Sequence, residues 1–131
     1  MLKLILGVIV GIIAAFVTIF VTEMAGHRLF PPPAGVDFND PAQLAAAMER
    51  MPLANKLAVA VAWFLGALVG AYAANRIALR ALAGGIVSVA VVLAACVNMA
   101  MIPHPGWMWA AGTLLPLAAG WIAQRATRTA F

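Results

Sequence analysis

The sequence predicts an all-α membrane protein: a four-transmembrane-helix bundle with a short amphipathic surface helix in its first outer loop. Three observations point there. Apolar residues make up 66% of the chain and charged ones only 9%, whereas about a quarter of an ordinary soluble domain is charged. Four apolar stretches approach about 20 residues, the length that crosses a hydrocarbon core of roughly 30 Å as a helix with its backbone bonds satisfied internally. The charges are sorted by loop: Lys3, Arg76, Arg80, Arg125 and Arg128 flank the spans on one side, and all four acids, Glu23, Asp37, Asp40 and Glu49, belong to the other.

Residues 4–22 form the first span. The run exceeds the about 7–15 apolar residues of a secretory signal core, so it is read as a span that stays in the protein. Residues 57–74 and 81–102 form the second and third. The fourth, 107–123, is short but bounded by Trp107, Trp109 and Trp121, as interfacial aromatic anchors would be. Residues 1–131 are thus expected to make one integral domain. The cationic side is cytoplasmic by the positive-inside rule, which places both termini inside. The net charge of +4 follows from this topology, and no aromatic-basic groove or nucleic-acid motif accompanies it. The bilayer is the expected partner, no nucleic acid is, and no cofactor is implied.

The outer loop, residues 23–56, is expected to have structure of its own. Pro31, Pro32 and Pro33 fix successive φ angles and lack amide donors, so they end the first helix and extend as a stiff strap. Asp40 then caps a helix over 41–50, with Pro41 at its first position and Gln43 at the capping-box position, and Pro52 ends it. Leu44, Met48 and Met51 share one face, as a helix lying on the membrane surface or over the bundle requires.

Small residues indicate how the spans pack. Ala58, Ala62, Gly66, Gly70 and Ala74 recur every fourth position on the second span, and Gly7, Gly11 and Ala15 make a similar row on the first. In lipid, helices attract one another through close backbone approach and van der Waals contact, which such rows permit. A two-helix repeat in parallel orientation is suggested by "EMA" at Glu23 against "NMA" at Asn98, and by "WFLGALVG" at Trp63 against "WAAGTLLP" at Trp109.

Glu23 lies about 30 Å from Lys3 at 1.5 Å per helical residue, near the outer edge of the hydrocarbon. His27, four residues on, falls on the same helical face if the helix continues, giving a carboxylate–imidazole pair able to exchange a proton near physiological pH. Asn98 belongs at a similar depth and His104 in the "PHPG" turn just outside it. Together with Asp37 and Asp40 from the loop above, these make the candidate ligand- or proton-binding group. The bland reading is a wet helix end whose polar groups bond to their neighbours. The sharper one exploits the expense of ionisable groups in a membrane, which mark functional sites.

Glu23, His27 and His104, with Asp37 or Asp40, also offer oxygen and nitrogen ligands suited to zinc or a similar ion, though the two histidines make no compact ligand motif. Nothing assembles a catalytic constellation. Ser88 is the only serine and sits toward the cytoplasmic half of a span, while Cys96 is the only cysteine, a small apolar packing residue.

The segment "FPPPAGVDFND", followed by "MP" and "AWFLGALVGAYAA", resembles a group of short bacterial four-span membrane proteins. The likeness covers residues 20–75. It implies the four-span topology, a place in a bacterial inner membrane, and no catalytic residues.

Two functional classes remain open. One is a small transporter or channel for a proton, cation or polar solute, using the outer polar group, with a narrow route or one between subunits of a homo-oligomer. The other is a non-transporting scaffold, accessory subunit, or binder of lipid or a hydrophobic molecule beneath the outer loop.

Overall fold

A chain this apolar must pair its backbone polar groups internally, and helices do so within each segment. The computed structural model describes residues 1–131 and contains five α-helices and no strand. They are α1 (Leu2–Leu29), α2 (Pro41–Arg50), α3 (Leu53–Ala78), α4 (Ala81–Met101) and α5 (Gly106–Thr127). Three of them, α1, α3 and α4, are long and apolar enough to cross a membrane. α5 has 22 residues but falls outside that set, because Gly106, Gly112, Thr113, Pro116, Gly120 and Gln124 dilute its apolar content.

α3 is the hub, packed against α1, α4 and α5, and α1 also touches α4. Neighbours in the chain run antiparallel. On α1, Gly7 meets Ala74 and Ala78 while Gly26 meets Ala58. Gly84, near the start of α4, meets Asn75 near the end of α3, and on α5 Gly112 meets Met99 while Gly120 meets Ser88. The long helices therefore alternate in direction. Both chain termini share one end of the bundle, which the tail seals by hydrogen-bonding the Ala81 amide to the Ala130 carbonyl at 2.8 Å. The other end carries the 31–40 segment, α2 and the α4–α5 turn.

Backbone proximity governs the α1–α3 contact. A Cβ on Gly11 would lie 2.7 Å from the Gly70 carbonyl oxygen, and one on Gly70 would lie 2.5 Å from that of Gly11. A Cβ on Gly66 would lie 2.9 Å from the Ala15 carbonyl oxygen, and Ala62 is fully buried. The rest of the interior is mostly small as well, built on Ala15, Ala67, Ala83, Ala95 and Ala119 with Val87 and Val91 between them, and Trp63, Met99 and Met108 add its bulk. Most large apolar side chains point outward instead. Ile9, Ile13, Phe16 and Phe20 on α1, Val61 and Val69 on α3, Val89 and Leu93 on α4, and Leu114 and Leu117 on α5 are exposed. Such a girdle far exceeds the patches of soluble monomers and fits a lipid surrounding.

Of the three buried polar side chains, Asn55 and Asn75 serve helix ends, and the Ser88 hydroxyl has no hydrogen-bond partner. α4 has no side-chain cap of its own, and Asn75 of α3 substitutes for one: its Oδ1 accepts the Gly84 amide at 2.7 Å. Thr18 and Thr22 turn their hydroxyls back onto the carbonyls of Ala14 and Thr18, which removes their polarity from the lipid face.

Candidate ligand-binding cavity

α1 runs past Thr22, where the first span was expected to end, and stays helical to Leu29. The Phe30 amide closes its last turn on the Gly26 carbonyl at 2.8 Å, and the prolines follow. Glu23 and His27 therefore stand one helical turn apart.

These two side chains help line a cavity of about 470 Å³ at the loop end of the bundle. Asn98 from the end of α4 and His104 from the α4–α5 turn line it too, so four side chains from three separate stretches meet one space. Phe38 and Pro32 of the strap contribute, as do Leu44, Met48 and Met51, the apolar face and end of α2. α2 is a roof of side chains. None of its Cα atoms comes within 8 Å of a Cα in another helix, so only side chains such as buried Ala47 and Met48 hold it down.

His104 is fixed on two sides. Its Nδ1 hydrogen-bonds the Ile102 carbonyl oxygen, and its ring lies 6.4 Å from that of Trp63. Since a carbonyl only accepts, the proton belongs on Nδ1, and the free lone pair belongs to Nε2. Asn55, 1% exposed, is similarly tied. Its Nδ2 donates to the Phe30 carbonyl at 2.6 Å, leaving Oδ1 as the atom it can offer the cavity.

Asp37 and Asp40 lie outside the cavity lining and act in the strap. The Asp37 carboxylate accepts the Asn39 amide at 3.0 Å, and Asp40 caps α2 by accepting the Ala42 amide at 3.0 Å and the Gln43 side-chain amide at 3.2 Å. Gln43 completes the cap on a different atom from the expected one. Its Oε1 accepts the Asp37 amide at 3.0 Å, because the Asp40 amide already bonds the Asp37 carbonyl. Both acids are thus satisfied by local geometry and removed from the candidate group.

The zinc reading also needs correction. Glu23, His27 and His104 line the same space, yet nowhere do three His, Cys, Asp or Glu side chains converge tightly enough to hold an ion. The expected residues were also incomplete. Asn55 and Lys56, at the start of α3, line the cavity together with Val59, Ile102 and Met108. A polar pair opening an apolar span was the available signal, of the same kind that singled out Asn98.

No family model matches this chain. No curated protein and no solved structure matches it either. The cavity's chemistry therefore has to be read from its own side chains: one carboxylate, one ammonium, two imidazoles and two carboxamides against an apolar wall. Its volume falls in the range of small-molecule sites, about 300–1,000 Å³, with few polar groups placed in an apolar lining.

Proposed function

We propose that this chain is a four-span protein of the bacterial inner membrane, with both termini cytoplasmic, that holds a small ligand in the capped cavity at its outer end. One observation carries the reading: Glu23, His27, Asn98 and His104 line a single half-open cavity beneath an amphipathic roof. The 22 residues of α5, long enough for a fourth crossing, support the span count. So does the gathering of Lys3, Arg76, Arg80, Arg125 and Arg128 at the end that holds both termini.

Binding is favoured over conduction through one copy. Below the cavity the interior is filled by Ala15, Ala67, Val87, Val91 and Ala95, each at most 1% exposed. The groove at the opposite end, between α4 and α5, shares no lining residue with the capped cavity. Native mass spectrometry of the purified protein tests this reading. The parent should retain a small bound species that His27→Trp, which places an indole at the cavity wall, removes. A parent that carries nothing overturns it in favour of a scaffold.

Transport is the second reading, and the Glu23–His27 pair in the cavity favours it. In that case the cavity is an outer entrance, and the route continues between copies of a homo-oligomer. Proton or cation flux into proteoliposomes that disappears in Glu23→Gln would select transport over binding.

A further inference from the structure

Methionine is distributed unevenly along this chain. Beyond Met1, there are six: Met24, Met48, Met51, Met99, Met101 and Met108. All belong to the loop end of the bundle, at the ends of α1, α4 and α5 or in the α2 roof. None occurs in the opposite half, where alanine, valine and leucine fill the same apolar environment. Gap-filling by a flexible side chain accounts for any one of them but gives no reason for the asymmetry.

Three of the six, Met48, Met51 and Met108, line the capped cavity. They share it with His104, whose Nδ1 is held by the Ile102 carbonyl so that Nε2 carries the free lone pair. Locking one ring nitrogen in this way is how proteins orient imidazoles that bind metals. Thioethers are soft, neutral ligands. They select Cu(I) over zinc, magnesium or calcium, which want imidazole, thiolate or oxygen. The lack of any tight cluster of His, Cys, Asp and Glu counts against those harder ions and leaves the thioether class untouched. Charge points the same way. With Glu23 and Lys56 both on the lining, a carboxyl group and an ammonium already stand against each other, and a monovalent ion adds half the charge of a divalent one.

We propose that the capped cavity binds a soft monovalent metal ion, Cu(I), through thioethers of Met48, Met51 and Met108 and Nε2 of His104. The proposal rests on the reading of this cavity as a ligand site and names its ligand. Two of the four ligands come from α2 and its end, so the ion ties the roof to the bundle. No redox step is involved; the ion binds and leaves as Cu(I).

The test uses the full chain in detergent under anaerobic conditions, with Cys96→Ala as background to remove the one thiol. Cu(I) is delivered from a coloured Cu(I) chelator, and Ag(I) serves as a redox-inert check. The expected result is one ion per chain, with sulfur and nitrogen neighbours by X-ray absorption. The double variant Met48→Leu, Met51→Leu should bind at least about tenfold more weakly, a loss that even outer-shell partners of a metal can cause. His104→Gln should do the same. Met101→Leu, on the exposed surface, should bind as the parent does, and circular dichroism should show all variants equally helical. Parent-like affinity in the methionine double variant overturns the proposal, as does failure of the parent to take Cu(I) or Ag(I) from the chelator. If the parent refuses both ions yet retains another species that His27→Trp removes, only the identity of the ligand falls. If it retains nothing, the cavity reading falls with it.

Discussion

The side-chain nitrogen of Asn55 reaches back 25 residues along the chain to donate to the carbonyl of Phe30, 2.6 Å away. Phe30 is the C-cap of α1, and its carbonyl is one of the groups a helix end leaves without an internal partner. One amide thus closes α1 and pins it to the start of α3 beside Glu23 and His27. Asn55→Ala removes the donor and keeps the site apolar. It should lower stability by about 0.5–1.5 kcal/mol, the net contribution of a part-buried hydrogen bond. Thermal unfolding in detergent reads this directly, and a variant as stable as the parent would deny the pin its role.

Glycine substitutions on two helices should have opposite signs. A methyl on Gly70 would meet the Gly11 carbonyl at 2.5 Å and the Ala15 Cβ at 2.7 Å, both belonging to the opposing helix. Gly70→Ala should force α1 and α3 apart and cost about 1–3 kcal/mol, as overpacking does. Gly85 of α4 has nothing within 4 Å of its Cβ position. There Gly85→Ala removes only the helix penalty of glycine and should gain about 0.5–1 kcal/mol. Comparing the midpoints of the two variants with the parent checks both signs in one experiment.

Leu79 joins α3 to α4 with φ of 58° and ψ of 27°, the left-handed region. That conformation costs a residue bearing a Cβ roughly 1–2 kcal/mol and glycine almost nothing. The side chain is 64% exposed and lies at the cationic end, so little packing opposes the change. Leu79→Gly should raise the unfolding temperature by a few degrees, less the entropy that glycine adds to the unfolded chain.

The helices were readable in the sequence because each rests on local physics. Residues 41–50 are bounded by an aspartate before a proline and by another proline after, and α2 covers that range. The short rows on the first two spans describe surfaces that meet in the structure, since a groove of glycine and alanine admits another backbone and little else. Glu23, His27, Asn98 and His104 could be grouped by counting helical rise from the membrane edge. The remainder depends on contacts that no count supplies. Asp37 and Asp40 have the same composition as a binding loop, and only the amides of Asn39, Ala42 and Gln43 reveal that both serve the strap. Asn55 lies just ahead of the span expected at 57–74, and its role appears only when Phe30 is placed beside it.

The remaining prediction concerns α5. Its 22 residues extend about 33 Å at 1.5 Å per residue, enough to cross the hydrocarbon. Its glycines and Pro116 lower its apolar content because Gly112 and Gly120 pack on Trp63, Met99 and Ser88, where bulk would not fit. The outward positions, Trp107, Trp109, Leu114, Leu117 and Trp121, are large and apolar, and Arg125 covers the Trp121 ring at 5.1 Å, as a cation at an interface would. If α5 crosses, the strap and the end of the chain lie on opposite sides of the membrane. In a Cys96→Ala background, a membrane-impermeant maleimide should label Ala34→Cys on intact spheroplasts, and Thr129→Cys only after permeabilisation. Labelling of both from the outside would leave α5 lying on the bundle without spanning, and a three-span protein in its place.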